Sequence, residues 1–369
     1  MIDHRFDIHD AKEAYKKLEN KDSLGILLNY PSFKDSNISK TSIKLKPFKK
    51  PEKGNINVSF IGGGNYASRV LIPAFHKSNA SFSTIVTSAG INSYHHGKKN
   101  KFSLASTDIN DALEDNSDSV VIATQHNMHA DQIIQSLNAG KNVFVEKPLA
   151  LKISDVEKIE KAHKESNRIL MVGFNRRFSP HIKKIKKLLN TKPMPKCFVM
   201  TMNAGEIDKD HWTQDKDAGG GRIIGEACHY VDLMCFLSDS SISSFNANKI
   251  LDNQYMQITE DKAIINLTFA DGSIGVINYF ANGGKSFPKE RIEVFCDNAV
   301  LQLDNFKYLR GYGWKGFENF KTWSQDKGQR ECVKAFMDAV KEGSEPPIPH
   351  DEIFDNARLI IKISESLNN

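Results

Sequence analysis

Lys147 is the residue whose type and position in this sequence most clearly suit chemistry. It follows the apolar run NVFV (142–145) and precedes Pro148, and a residue before proline is held in an extended conformation. Its side chain is therefore directed from the rigid end of a predicted strand, whereas most lysines are solvated surface residues. An ammonium group held there can donate a hydrogen bond to a developing alkoxide, or polarise a ketone in the reverse reaction.

A glycine-rich turn lies upstream, at the end of another apolar run. Residues 62–67 (GGGNYA) fit the pattern G-x-G-x-x-A, directly after NVSFI and at the start of a helical pattern. The first glycine permits a tight turn, the second lets a pyrophosphate approach the backbone, and the small alanine lets helix and strand pack closely. This setting favours a dinucleotide site over a glycine-rich turn of an unrelated α/β protein. The expected contacts are Gly62, Gly64, Asn65, Tyr66 and Ala67.

Three further apolar runs end in polar residues, at 123–129, 146–148 and 173–177. Ligands of parallel sheets bind at the carboxyl ends of the strands, so these residues should share one crevice. The cofactor contacts expected there are Thr124, Gln125, His126, Asn127, His129, Glu146, Lys147 and Arg176, and the expected substrate contacts are Asn175 and Arg177.

The sequence leaves the choice between NAD and NADP open. The second strand ends at residues 87–90 (TSAG), where an Asp or Glu would hold a ribose 2′-OH and repel a 2′-phosphate. Ser88, the expected contact there, does neither decisively. No arginine follows closely, as tight selection of NADP would require, and we therefore favour NAD.

Strands alternate with helices over residues 55–178. Helical patterns at 66–77, 109–115, 128–139 and 153–166 separate the apolar runs, which predicts βαβ units and a doubly wound parallel Rossmann sheet of the α/β class. Residues 179–369 are predicted to form a second, α+β domain for substrate binding and oligomerisation. Its runs of alternating polarity, joined in one place by Asp271-Gly272, indicate an open, mainly antiparallel sheet, closed by helices at 329–342 and 351–366.

Two segments precede the Rossmann pattern. Residues 1–30 indicate a helix (9–20) followed by a strand (24–30). Residues 31–54 are rich in Lys and Pro and have no periodicity, which predicts a linker or an extended arm.

The composition is that of an ordinary globular chain, with 369 residues, 40% hydrophobic and 26% charged. The net charge of +5 is spread over scattered lysines, which permits anionic ligands without demanding nucleic acid. The 5 cysteines form no C-x-x-C pair, which suits a reducing cytosol and argues against a zinc site. No apolar run reaches the ~20 residues of a membrane span, and the first residues lack the apolar core of a signal peptide. We expect a cytoplasmic protein with no metal, nucleic-acid or membrane partner.

Taken together, these motifs resemble the Gfo/Idh/MocA family of NAD(P)-dependent oxidoreductases over roughly residues 54–369. The matching segments are GGGNYA, the T-x-x-x-x-H of 124–129, AGKNVFVEKPLAL (139–151), GFNRRFSP (173–180) and GGGRIIGEACHYVDL (219–233). The resemblance implies a Rossmann domain followed by an open antiparallel sheet, a homodimer or homotetramer assembled through that sheet, and a secondary alcohol of a sugar, cyclitol or nucleotide sugar as substrate.

The same resemblance implies an acting pair of residues. The family's EKP lysine, here Lys147, lies near the nicotinamide and the reacting oxygen. The histidine of its H-x-x-D segment, here His229, is the usual acid/base, with Asp232 behind it. Oxidising a secondary alcohol moves a hydride to the nicotinamide and a proton to a base, and an imidazole with an ordinary pKa of ~6.5 suits that base at neutral pH. The alternative for His229 is a core histidine on an amphipathic helix.

The sequence departs from the family pattern at two points. Many members carry an acid four residues before the histidine, where this chain has Gly225; its carboxylate, Glu226, comes one residue later and is turned by ~100° on a helix. Glu226 is expected at the substrate, and whether it replaces the missing acid is open. Relatives often show Trp-Arg before the GGG turn, where this chain has Trp212-Thr213, and Trp212 is expected to stack at the cofactor.

Basic residues near the predicted pocket suit an anionic substrate such as a uronate or a nucleotide sugar, although each alone is equally well a solvated surface charge. Besides Arg176 and Arg177 they are Lys285, Lys289 and Arg291, in a run (282–291) expected to cover the pocket. Two other functions stay open. One is an NAD-dependent glycosidase of the same superfamily, which would turn over without added NAD. The other is a non-catalytic dinucleotide sensor, which the acid missing at 225 favours and the retained Lys147 and His229 oppose.

The first 30 residues resemble a different family. They are similar to the final helix and strand of a medium-chain, zinc-type alcohol dehydrogenase, without its cofactor fingerprint or zinc ligands. We interpret them as a remnant of such a domain with no activity of its own. A plain helix–strand extension is the alternative.

Overall fold

The computed structural model describes residues 2–19, 24–30, 41–47, 55–251, 254–256 and 258–368. The chain divides into two compact units, Met1–Thr41 and Ser42–Asn369. Within the described ranges no helix combines the length and the apolarity needed to cross a membrane.

The N-terminal unit is a small βαβ arrangement. It comprises β1 (His4–Asp7), α1 (Ala11–Glu19) and β2 (Ile26–Asn29), and the two strands pair in parallel, with His4 opposite Ile26. The sequence pattern predicts α1 and β2 but not β1, whose four residues include one large apolar side chain. That this unit is a remnant of a medium-chain dehydrogenase stays a prediction.

A seven-stranded sheet begins the second unit, in the order β3-β6-β5-β4-β7-β8-β9. Every neighbouring pair is parallel except β3 with β6. The strands are β3 (Ser42–Lys44), β4 (Asn57–Ile61), β5 (Ser81–Val86), β6 (Leu104–Ser106), β7 (Ser119–Ile122), β8 (Asn142–Val145) and β9 (Leu170–Val172). The helices that connect them are α2 (Ile72–Lys77), α3 (Gly90–Lys99), α4 (Asn110–Leu113), α5 (His129–Asn138) and α6 (Ile153–Ser166).

The chain direction across this sheet reverses at β4, which has β5 on one side and β7 on the other. Such a switch point opens a crevice at the carboxyl ends of the strands. β4 and β7 are buried along their whole length, as expected for central strands covered on both faces. The fold therefore gathers the glycine-rich turn after β4 and the polar residues after β7, β8 and β9 at one edge.

The described part of residues 31–54, predicted to be a linker or an extended arm, contains a short strand. Residues 42–44 form the edge strand β3, in which Ile43 lies opposite Ala105. Leu45 packs against α3 so closely that a side chain at Gly97 would lie 2.5 Å from its methyl group. Three residues are enough to pair with an open sheet edge, and such a short segment leaves no periodicity in the sequence. Residues 31–40 and 48–54 lie outside the described residues.

A second sheet has eight strands, in the order β11-β12-β13-β10-β14-β15-β16-β17. Only β10 with β13 is parallel, which confirms the predicted α+β class with a mainly antiparallel sheet. The strands are β10 (Cys197–Asn203), β11 (Ile242–Lys249), β12 (Lys262–Phe269), β13 (Ile274–Phe280), β14 (Glu290–Cys296), β15 (Ala299–Asp304), β16 (Tyr308–Tyr312) and β17 (Asn319–Lys321). The helices of this part are α7 (Pro180–Leu189), α8 (Cys228–Ser238), α9 (Gln329–Glu342) and α10 (His350–Ser366).

One face of this sheet packs on helices, as its alternating pattern predicts. Along β12, Ala263, Ile265 and Leu267 are buried, whereas the residues between them are exposed. In β13, a side chain at Gly275 would lie 2.6 Å from the sulfur of Met234, which shows how closely α8 approaches the sheet. The predicted turn at Asp271-Gly272 joins β12 and β13, and Gly272 has a φ of +85° that favours glycine. The sheet thus supports α8, the helix that carries His229.

Two π-helical turns interrupt the regular helices. Ala67–Leu71 follows the glycine-rich turn and leads into α2, and Ile223–Ala227 leads into α8. A π turn takes an extra residue, so it shifts which side chains face a given direction, and such turns are frequent at functional sites.

Candidate functional site

The glycine-rich turn has the shape that a dinucleotide pyrophosphate requires. Gly62 has a φ of +103°, and a Cβ there would lie 2.4 Å from the carbonyl oxygen of Ala123, so only glycine fits. A Cβ on Gly64 would meet no atom within 4 Å, and Gly64, Asn65 and Tyr66 are all exposed. The helix begins at Asn65, and its first N–H groups lack partners within the helix. An open backbone cradle with free donors fits the phosphates of NAD.

The residues that follow β5, where the ribose of the cofactor is expected to bind, include no carboxylate. Thr87 packs against the turn, and a Cβ on Gly63 would lie 2.7 Å from its methyl carbon. Its hydroxyl donates to the carbonyl oxygen of Ala89 at 2.6 Å, which leaves Ser88 as the exposed polar side chain that follows β5. The geometry is therefore compatible with the predicted contact at Ser88.

His129 braces two strand ends from inside the domain. It is fully buried, with Nδ1 2.7 Å from the carbonyl oxygen of Pro148 and Nε2 3.3 Å from that of Thr124. Burial lowers the pKa of His129 to about 4, so it is neutral at physiological pH. A neutral ring has one N–H, which the shorter distance assigns to Nδ1, so His129 donates to the Pro148 carbonyl oxygen after β8 and only packs against the end of β7. The buried ring cannot reach a ligand directly. The predicted contacts Gln125 and Asn127 are exposed beside it, and the Thr124 hydroxyl donates to Gln132 at 2.7 Å.

His126 lies in a 3₁₀ turn (His126–Met128) and is also buried. Its Nδ1 is 2.7 Å from the carbonyl oxygen of Gly219, and its ring meets that of Trp212 edge-on, with the ring centres 4.8 Å apart. Burial, aided by the charge of Lys147, lowers the pKa of His126 to about 3. A carbonyl only accepts, so Nδ1 carries the proton of this neutral ring. Trp212 is thus placed against His126, next to the segment that leads to His229.

Lys147 is half-buried at the end of β8, and its Nζ donates to the carbonyl oxygen of Gly225 at 2.8 Å. The neighbouring Glu146 is buried, and burial raises its pKa to about 7 although Lys147 and Arg176 oppose the shift. A Cβ on Gly173 would lie 2.7 Å from a carboxylate oxygen of Glu146, so glycine at the end of β9 makes room for that carboxyl group. The ammonium group is therefore held against the π turn that precedes α8.

His229 is buried near the start of α8, and no described residue gives its Nδ1 a hydrogen bond. Burial lowers the pKa of His229 well below its ordinary value, and the charges of Arg176, Lys147 and Lys327 lower it further. The imidazole is therefore neutral, and one of its nitrogens can accept a proton. Several other buried side-chain atoms of the described residues also lack a partner, and at His229 this leaves Nδ1 available to a group that binds in the site.

The expectation that Asp232 supports His229 is not met. Asp232 accepts from Arg177 through two atoms, Nε at 3.2 Å and Nη2 at 2.5 Å, and Glu352 takes a further bond from that arginine at 2.9 Å. All the hydrogen bonds that the structure gives the Asp232 carboxylate run to Arg177. Burial raises the pKa of Asp232 to about 6 in spite of Arg177. The predicted substrate contact Arg177 is thus part of a buried ion pair that joins α8 and α10.

Arg176 likewise interacts with other residues of the protein. Its Nε donates to Glu290 at 2.9 Å, and its guanidinium group lies over the ring of Tyr230 at 5.4 Å. The Tyr230 hydroxyl donates to the same carboxylate at 2.8 Å, and Lys327 forms an ion pair with it. These partners lower the pKa of Glu290 to about 2 although burial opposes them. The sequence motifs do not identify Glu290 or Lys327; the only local signal is the turn at Lys327-Gly328 before α9.

The other predicted substrate contacts lie in different parts of the structure. The Asn175 amide donates to the carbonyl oxygen of Lys327 at 2.7 Å, which joins two parts of the site. Arg291 is in β14 rather than in a loop and pairs with Asp304 at 2.8 Å. It alternates with the buried Glu290 and so points to the opposite face of the sheet. Lys285 and Lys289 are exposed in the segment before β14.

The π turn Ile223–Ala227 decides the position of Glu226. Its carboxylate accepts from the Nε of the buried Arg222 at 3.0 Å. Burial favours the neutral acid, but the charges of Arg222 and Lys147 outweigh burial and lower the pKa of Glu226. An ionised carboxylate therefore acts on Lys147 from residue 226, although residue 225 has no side chain.

Comparisons with known proteins match both halves of this architecture. The profile of an oxidoreductase family with an NAD-binding Rossmann fold, Gfo/Idh/MocA, matches residues 56–174, and that of the Gfo/Idh/MocA C-terminal domain matches residues 196–302. The scyllo-inositol 2-dehydrogenase (NAD⁺) of Bacillus subtilis is 31% identical over 288 residues, covering 72% of this chain and 80% of that protein. The myo-inositol 2-dehydrogenase of Thermotoga maritima is 26% identical over 256 residues, covering 66% of this chain and 76% of that protein.

A solved structure shows the same fold. Levoglucosan dehydrogenase in complex with NADH and levoglucosan superposes with a TM-score of 0.74 at 20% identity. The match covers 85% of this chain and 97% of that chain, so it extends over both sheets.

Proposed function

The chain belongs to the Gfo/Idh/MocA oxidoreductase family, and we propose that it oxidises a secondary alcohol of a sugar or cyclitol, with NAD as hydride acceptor. The family and the NAD-binding Rossmann domain expected from the sequence motifs are confirmed by the two profile matches. The substrate class and the roles of individual residues belong to the proposal.

The observation that carries the proposal is the neutral His229, whose Nδ1 has no hydrogen-bond partner among the described residues and whose pKa is lowered by burial and by cations that include Lys147. The Gly225 carbonyl oxygen, which Lys147 contacts, lies four residues before His229 on the same helical segment. The cofactor, when bound, accepts the hydride from the alcohol carbon. His229 takes the proton of the hydroxyl group, and Lys147 donates a hydrogen bond to the oxygen as negative charge develops on it.

The environment of His229 supports this division of roles. Burial, with the charges of Arg176, Lys147 and Lys327, depresses the pKa of His229, so the ring is neutral and one of its nitrogens can accept a proton. The same charges favour an alkoxide-like oxygen in the transition state. Burial keeps bulk water away from His229, and Lys147 is half-buried, which strengthens the electrostatic effect between them.

The named relatives support a polyol as substrate. The inositol dehydrogenases and levoglucosan dehydrogenase are named for ring compounds that carry secondary alcohols. A non-catalytic sensor is the weaker candidate, because its support was the acid missing at residue 225. Glu226 supplies a carboxylate charge to Lys147 from the next position.

The proposal is tested by following NADH formation with a panel of inositols, aldoses, anhydrosugars and uronates. We expect NADH to accumulate with at least one ring polyol and to require both NAD and the polyol. Bound NAD without NADH formation from any member of the panel would favour the sensor. Bond cleavage of a glycoside without added NAD and without net NADH would favour the glycosidase.

A further inference from the structure

We propose that His126 is a positioning residue for Lys147 and that it acts through the backbone of Gly225. This inference rests on the role proposed for Lys147. It concerns a contact between the Rossmann domain and the π turn. At this contact the edge of the His126 imidazole meets Gly225, which has no side chain.

Space, and not backbone conformation, explains the glycine at position 225. Its φ is not in the left-handed region, and alanine is favoured over glycine by about 1 kcal/mol inside a helix. A Cβ on Gly225 would lie 3.0 Å from Cε1 and 3.6 Å from Nδ1 of His126. The first distance is below an ordinary carbon–carbon contact of ~3.5 Å. The imidazole edge therefore occupies the place of the side chain that residue 225 lacks.

The imidazole cannot easily give way. Its Nδ1 is bonded to the Gly219 carbonyl oxygen at 2.7 Å, and Trp212 packs on it edge-on. The ring is buried, so a shift would break a hydrogen bond inside the protein without water to replace it. A methyl group at residue 225 would therefore displace the backbone of the π turn more readily than the ring.

The carbonyl of that same residue holds the ammonium group. Lys147 Nζ donates to the Gly225 oxygen at 2.8 Å, the one hydrogen bond that the described part of the chain shows for this group. The edge of the His126 ring, the backbone of Gly225 and the ammonium group of Lys147 thus form one continuous set of contacts. The position of His126 sets that of the Gly225 carbonyl, and the carbonyl sets the direction in which Lys147 offers its remaining hydrogens to the substrate oxygen.

A double-mutant cycle tests the inference, with Gly225→Ala made both in the wild type and in His126→Ala. In the wild type, Gly225→Ala should lower kcat roughly tenfold or more, because sub-ångström misplacement of a catalytic group is costly. In His126→Ala the same methyl group has room, and it should change kcat by less than about twofold. An equal effect in both backgrounds would mean that His126 is not what requires glycine at 225.

A second measurement uses the protein without substrate. Acylation of Lys147 by an amine-reactive ester, followed by mass spectrometry, reports how tightly the ammonium group is held. Gly225→Ala should raise the acylation rate of Lys147 roughly fivefold in the wild type, the equivalent of one lost hydrogen bond, and should leave it unchanged in His126→Ala. Lys158, exposed on α6, is the internal control and should react equally in all four proteins.

These outcomes separate the inference from the proposed function. If no protein of the cycle turns over a polyol, the proposed function fails and the acylation rates still decide the contact. An unchanged Lys147 acylation rate in Gly225→Ala would overturn the inference even where turnover is lost. If Gly225→Ala does not fold, the double variant must fold, because the ring that excludes the methyl group is gone; failure of both would also overturn it.

Discussion

Replacing His129 with glutamine should make the stability of the protein less sensitive to acid. Between about pH 7.5 and about pH 5, the variant should lose about 2 kcal/mol less of its free energy of unfolding than the wild type loses. His129 is fully buried, with both ring nitrogens near backbone carbonyl oxygens, and burial lowers its pKa from 6.5 to about 4. The unfolded chain therefore binds a proton at a pH where the folded protein does not. The stabilisation that results is present above the unfolded pKa and is lost as the pH falls toward the folded value.

The magnitude follows from these two pKa values. Between about pH 7.5 and about pH 5, a shift from 6.5 to 4 lowers the free energy of unfolding by about 2 kcal/mol. Glutamine keeps an N–H donor for the Pro148 carbonyl oxygen and cannot titrate. Other groups also contribute, and Glu146, whose pKa is raised to about 7, contributes with the opposite sign. Only the difference between wild type and variant isolates His129.

Chemical denaturation at both pH values measures this difference. The wild type should lose about 2 kcal/mol more than His129→Gln on going to the lower pH. His76→Gln, at an exposed position of α2, is the matched control and should keep the acid sensitivity of the wild type. Equal acid sensitivity in the wild type and in His129→Gln would refute the assignment of His129 as a buried neutral brace.

Three further substitutions test separate parts of the site. Gly64→Val should fill the open cradle and abolish the thermal stabilisation by NAD; stabilisation equal to that of the wild type would place the pyrophosphate elsewhere. Lys147→Met should lower kcat by ~100-fold while NAD affinity, measured by calorimetry, stays near that of the wild type, and an unchanged kcat would make the lysine structural. Arg177→Met should cost about 3–5 kcal/mol in urea denaturation because it strands the buried Asp232 carboxylate. Adding Asp232→Asn should recover part of that loss, and no recovery would contradict the ion-pair interpretation.

The features that the sequence predicts well are those with local causes. The glycine-rich turn, the strand before it and the helix after it depend on neighbouring residues, and the structure has all three over Asn57–Ile61 and 62–77. α6 and α9 have the predicted bounds, because their apolar residues repeat with the helical period. The end of β8 likewise identifies Lys147, since in a parallel sheet the strand ends are where ligands bind.

The fate of the predicted basic residues depends on contacts between distant parts of the chain. Arg176 meets a carboxylate 114 positions away, and Arg177 meets one 55 positions away. Nothing in the local sequence of either arginine indicates such a partner. Charge and position near a strand end are the same for a ligand-binding arginine and for one buried in an ion pair, so only the fold distinguishes them.

The departure at residue 225 shows the same limit at shorter range. The sequence shows that the carboxylate has moved by one position, but a regular helix would turn it by ~100°. The π turn Ile223–Ala227 changes that geometry and leaves Glu226 ionised within the influence of Lys147. A π turn has no pattern that distinguishes it from an α-helix in a single sequence, so its effect could be stated only as an open alternative.

Turnover of His229→Ala, compared with that of Glu226→Gln, tests the proposed chemistry most directly. If His229 accepts the proton, its loss should lower kcat by ~100 to 10,000-fold and remove the acidic limb of the pH–rate profile. That limb should lie below the ordinary imidazole range, because burial lowers the pKa of His229, and it should persist in Glu226→Gln. If instead the limb disappears only in Glu226→Gln and His229→Ala turns over normally, the carboxylate is the base and the assignment of His229 is contradicted.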